Sequence, residues 1–130
     1  ERQERPPLTS GRRYRKMEAE FEEGAMKKIR ITVMRIASYP ELMAQYENPM
    51  TDACRMQVGQ VFLAEGWQKP EGFCQSAWDT LSPFVLALAH GGENFYDGWM
   101  KNPRSAMLSC NDGFRPVSFL VEALDEDVGR

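Results

Sequence analysis

Histidine is nearly missing from this chain, and long apolar runs and a basic excess are missing altogether. A single histidine, His90, stands among 130 residues, so no histidine-rich site can be built. No apolar run approaches the roughly 18 residues that cross a bilayer, so no transmembrane helix is read and no membrane partner is expected. The 16 Lys and Arg are outnumbered by 19 Asp and Glu, for a net charge of −3 and a pI near 5.2. A dedicated nucleic-acid binder shows the opposite balance, and none is expected here. Cysteine is scarce and odd in number: Cys54, Cys74 and Cys110, with no short C-x-x-C spacing among them. Residues 1–7 are charged and proline-containing, so as written they do not read as a secretory signal. With the odd cysteine count, that predicts reduced thiols and a cytoplasmic home. One disulfide stays open, because spacing along a chain says nothing about Cα separation. Walker, Rossmann, nucleophile-elbow and zinc-protease motifs are all absent.

What is present is ordinary globular material, 42% hydrophobic and 27% charged, in one domain's length. Residues 1–25 differ from the rest. They hold a basic cluster, Arg12, Arg13, Arg15 and Lys16 around Tyr14, followed by Glu18, Glu20, Glu22 and Glu23. Apolar residues there are few: Leu8, Tyr14, Met17 and Phe21. The opposite charges cancel within about a Debye length, so nucleic acid and anionic membrane are poor partners for this stretch. It reads as a polar amino-terminal arm, weakly structured alone, that fastens the chain to itself as a homo-oligomer or to a protein partner. Part of it could instead come from cloning, since Gly24-Ala25-Met26 resembles a cloning junction.

The domain is read over residues 26–124, with a polar tail at 125–130. Residues 28–36 (KIRITVMRI) alternate, placing Ile29, Ile31 and Val33 on one face, which predicts a half-buried strand. Ser38 to Glu41 have capping-box spacing with proline in the first turn, opening a short helix to about Tyr46. Residues 58–65 (VGQVFLAE) are apolar on both faces and read as a central strand. Residues 73–81 predict a helix, and Ser82-Pro83 predicts the start of a separate one over 83–89, closed by Gly91-Gly92. Residues 90–103 form a loop. Residues 106–110 and 116–124 predict two strands joined by a hairpin turn at Asn111-Asp112-Gly113. The order β-α-β-α-α-β-β predicts an α+β domain with a small, largely antiparallel sheet and two or three short helices.

Several segments carry a resemblance: Met26-Lys27-Lys28, Val58-Gly59-Gln60, Lys69-Pro70-Glu71-Gly72-Phe73-Cys74, Ala77-Trp78, Gly91-Gly92, Trp99-Met100 and Asp112 to Val117. In these, residues 26–124 resemble a family of small, uncharacterised, cysteine-containing bacterial and archaeal proteins. The resemblance implies fold and boundaries and assigns no activity. This chain departs from that pattern at Cys54-Arg55, where the family often has Cys-Pro. It departs again at Ser109-Cys110, where the family often has adjacent cysteines, and at Gln75, where an acidic residue is common.

The candidate site is built around the thiols. Cys54 lies in a loop, Cys74 at a helix start and Cys110 at a strand end, places where sites are commonly built. Three thiolates could hold zinc or iron, with His90, Asp112 or water completing the shell. Cys74 is the best single nucleophile, because thiolates are favoured at a helix amino terminus. Against this, buried free cysteine is a common small core residue. His90 could equally cap the carbonyl end of its helix. Arg115 and Asp112, at the hairpin turn, are candidates for gripping a carboxylate or phosphate, or for an ordinary turn with an ion pair. Tyr96 and Trp99 are candidates for a pocket wall, with 91–98 as a lid. Two functions remain open. One is a small-molecule or metal-binding protein with a cysteine-centred site beside Arg115. The other is a non-catalytic accessory subunit docking through residues 1–25. Whether the chain is an enzyme stays open.

Overall fold

The computed structural model describes residues 26–50 and 54–129. The expected arm at 1–25 lies outside them. The chain forms β1 (Lys27–Ile36), α1 (Pro40–Tyr46), β2 (Val61–Ala64), α2 (Gln75–Ala89), β3 (Ser105–Ser109) and β4 (Val117–Asp127). The strands make one antiparallel sheet in the order β2-β1-β4-β3, and the class is α+β as its alternation implied.

Period-two patterning sets the two faces of the sheet. Ile29, Ile31 and Val33 of β1 line up beside Val117, Phe119 and Val121 of β4, all essentially without solvent exposure. They bury against Ala77, Leu81, Val85 and Leu88, which recur at helical spacing on α2. Phe73, just ahead of α2, closes this layer, its ring 5.3 Å from that of Phe119 and 4.9 Å from that of Phe62. Among the described residues the opposite face has no covering helix, and Val61 and Leu63 of β2 are about half exposed. Cross-strand ion pairs occupy its lower part, Arg30 with Glu122 and Lys28 with Glu65 and Glu126.

Five local expectations change. The two helices expected at 73–81 and 83–89 are one, Gln75–Ala89, running through Pro83. Proline there removes the hydrogen bond to the Asp79 carbonyl, but both residues face solvent, where water can take that carbonyl. The buried line from Ala77 to Leu88 passes unbroken on the other side, so packing carries the helix across. The strand expected at 58–65 shrinks to four residues and lies at an edge, with one face uncovered. The capping box is not formed, because Pro40 takes the first helical position and makes Tyr39, not Ser38, the cap residue. The Tyr39 N–H instead donates to the Phe114 carbonyl at 2.9 Å. The polar tail is partly strand, since β4 continues to Asp127 and Lys27 pairs with Asp127. The β3–β4 connection is a loop spanning 110–116 rather than a tight hairpin.

The carboxyl end of α2 falls just ahead of Gly91-Gly92, as the glycine pair predicts. Gly91, at φ +92°, donates to Leu88, and Gly92 donates to Ala87 at 2.7 Å, the paired bonds of a Schellman motif.

Candidate functional site

Three segments remote in sequence bring the thiols to one place. Cys54 lies in irregular chain between α1 and β2 and is exposed. Cys74 is the N-cap residue of α2 and half-buried; its side chain makes no capping hydrogen bond, while its carbonyl accepts from the Trp78 N–H at 2.9 Å. Cys110 follows β3, where its N–H donates to the Val117 carbonyl and its Sγ accepts the Val117 N–H at 3.2 Å. All three are free thiols. They line one cavity of about 110 Å³, together with Met56, Ser76, Ala77, Asp112, Arg115, Val117 and Phe119. Cys54 and Cys74, with Met56, also line an adjoining and more open hollow of about 320 Å³.

Packing explains the convergence. Phe119 and Val117 point from β4 toward α2, so the start of α2 and the end of β3 must meet over them. The Ser76 hydroxyl hydrogen-bonds the Asn111 side chain across this gap, tying the first turn of α2 to the β3–β4 loop. The Lys69 ammonium donates to the Phe73 carbonyl at 2.6 Å and fixes the approach to Cys74. Asp112 Oδ1 accepts the backbone N–H groups of Phe114 (2.8 Å) and Arg115 (3.2 Å), an Asx-type turn.

Arg115 borders the cavity with its two terminal nitrogens already taken. They donate in parallel to the Glu47 carboxylate at 3.0 and 2.8 Å. This pairing, through its hydrogen bonds first, holds the guanidinium protonated more firmly than usual. Arg115 therefore clasps the end of α1 to the β3–β4 loop, and the expected bidentate grip on an anionic substrate is not open to it. Asp112 likewise commits one carboxylate oxygen, Oδ1, to the turn.

The remaining expected residues stand elsewhere. His90 is the exposed C-cap residue of α2, its N–H bonded to the Leu86 carbonyl, and it does not line the thiol cavity. Tyr96 and Trp99 pack edge to face on each other at 5.3 Å, with Tyr96 74% exposed, and neither borders the cavity. Asn94 holds their loop in shape, its side chain accepting the Gly98 N–H at 2.9 Å. Among the described residues, no three His, Cys, Asp or Glu side chains gather tightly enough to hold one metal ion. The thiols thus share a cavity without forming a ready-made zinc or iron centre.

Met56, Ser76, Phe119 and Glu47 were missed from the sequence. Met56 had a local cue, two residues beyond Cys54 and ahead of a strand. Glu47 had none, because its partner lies 68 residues away.

Nothing matches. No family model, curated protein or solved structure aligns with this chain.

Proposed function

We propose that this domain binds a small thiophilic ligand in the cavity lined by Cys54, Cys74 and Cys110, beside Arg115. The carrying observation is that three free thiols, from three separate segments, border one partly open cavity together with the Met56 side chain. Sulfur donors of this kind select soft partners over hard, oxygen-seeking ones. The inner space of about 110 Å³ admits a handful of heavy atoms, and the outer hollow of about 320 Å³ leaves room for a tail.

The test is native mass spectrometry of the full chain, reduced and purified without chelators, titrated with zinc, ferrous iron, cadmium and phenylarsine oxide. Stoichiometric uptake of at least one probe, lost on Cys74→Ser and Cys110→Ser, is the expected result. Equal uptake by the protein lacking all three thiols sinks the reading.

A second reading, an accessory subunit that assembles with itself or a larger protein, has its own observation. Helix α1 buries none of its residues, and Tyr39, Leu42 and Tyr46, spaced along one face, are 40, 39 and 70% exposed. A solvent-facing apolar stripe on so short a helix favours a covering partner. Sedimentation of the full chain, and of a form lacking residues 1–25, decides this; a monomer in both cases at all concentrations removes self-assembly.

A further inference from the structure

The three thiols are not equivalent, and their differences sort them into a pair and a bystander. Cys110 has a structural commitment, since its sulfur accepts the Val117 N–H where β3 gives way to the loop. Cys74 carries no such bond: it caps α2 with its carbonyl alone, and its sulfur is uncommitted. Cys54 is exposed, and it shares both hollows with Cys74, whereas Cys110 borders only the inner one. The outer hollow therefore presents two free thiols to whatever enters, one at the surface and one behind it.

We infer that Cys54 and Cys74 act as a thiol–disulfide exchange pair toward low-molecular-weight disulfides. This rests on the proposed ligand site and names the chemistry performed there. The Cys54 thiolate attacks one sulfur of R–S–S–R; that S–S bond breaks, Cys54–S–S–R forms, and the departing RS⁻ takes a proton. The Cys74 thiolate then attacks the Cys54 sulfur, the mixed disulfide breaks, Cys54–S–S–Cys74 forms, and the second RS⁻ leaves to be protonated. Two electrons pass from the cysteine pair to the small disulfide, which becomes two thiols, and the two protons come from the two cysteines.

Structure favours this order. The exposed sulfur meets a disulfide first, and access governs which thiol attacks. The second step is intramolecular and so outpaces attack by thiols in solution. A disulfide also needs Cα atoms about 4.4–6.8 Å apart. Cys54 and Arg55 are exposed and lie in no helix or strand, so the Cys54 side of the pair can adjust to that distance without disturbing the sheet. The outer hollow, near 320 Å³ and bordered also by Arg55 and Gln60, receives the R group while exchange proceeds.

The experiment uses the reduced full chain and oxidised glutathione, read by intact mass and by peptide mapping under non-reducing conditions. The wild type is expected to lose two hydrogens and keep no glutathione, with the Cys54–Cys74 linkage in the map. Cys74→Ser is expected to accumulate one glutathione on Cys54. Cys54→Ser slows reaction by more than about tenfold, since the surface attacker is gone. Tyr96→Phe, which borders neither hollow, behaves as the wild type. Persistent glutathione on the wild type, or a mapped disulfide to Cys110, overturns the inference. Far-UV circular dichroism of each variant guards against loss of fold, and Cys74→Ala provides a second test of the inner position. Cadmium uptake by the reduced wild type separates the two levels. If exchange fails while cysteine-dependent uptake persists, only the pair is refuted; if both fail, the ligand site falls with it.

Discussion

Replacing Phe119 with alanine removes the largest side chain that is both fully buried and shared between core and thiol cavity. Its ring lies flush on the sheet face covered by α2 and touches Phe73, with centroids 5.3 Å apart. Deleting the ring empties on the order of 100 Å³, which at about 24 cal/mol per Å³ contributes about 2.4 kcal/mol for the cavity alone. The lost transfer of the ring from water adds roughly 2 kcal/mol. Together these give about 4 kcal/mol, within the roughly 3–5 kcal/mol of measured phenylalanine truncations. The neighbouring thiol cavity lets water reach part of the new space, which pulls the figure toward the lower end. A loss of about 4 kcal/mol corresponds to a fall in Tm of roughly 15–20 °C for a domain of this size. The assay is equilibrium urea unfolding followed by tryptophan fluorescence, because Trp78 is only 8% exposed and reports the same core. Val61→Ala, on the open face of edge strand β2, serves as control and is expected to cost about 0.5 kcal/mol or less. A loss below about 1 kcal/mol for Phe119→Ala refutes the reasoning, since it means that β4 presents a different face to α2.

Three further outcomes follow from particular contacts. Lys28 is held charged first by its hydrogen bond to Glu65 and then by Glu126, which raises its pKa above the ordinary 10.5. Its contribution to stability is therefore full below that value and lost as pH rises through the folded-state pKa. Unfolding midpoints measured up the alkaline limb should decline less steeply in Lys28→Met, and identical slopes refute the pairing. Gly91→Ala forces a side chain onto φ +92° in the Schellman turn, and a loss of roughly 1–2 kcal/mol in urea unfolding is expected. Arg115→Ala releases the Glu47 clasp, so amide exchange over α1 should quicken while β1 and β4 keep their protection. Uniform loss of protection instead places Arg115 in the global fold.

Sequence by itself determined the elements whose pattern is local. The alternation of Ile29, Ile31 and Val33 could only be a strand with one wet face, and Gly91-Gly92 could only end a helix, because φ +92° is a conformation glycine tolerates. Tertiary structure decided wherever a distant surface outweighed a local cue. Pro83 reads as a helix start, yet the sheet buries Leu81, Val85 and Leu88 on a single continuous face and carries the helix through it. Val61 and Leu63 read as core, yet among the described residues only one side of the sheet has a helix to cover it. The candidate site divides in the same way. Residue type alone marked Cys54, Cys74 and Cys110 as worth testing, and position in the chain placed Cys74 at a helix start. That they share a cavity, that His90, Tyr96 and Trp99 lie away from it, and that Arg115 is already occupied by Glu47 all depend on contacts across the sheet. Such contacts join residues tens of positions apart and leave no periodicity in the chain, so only the packed structure reveals them.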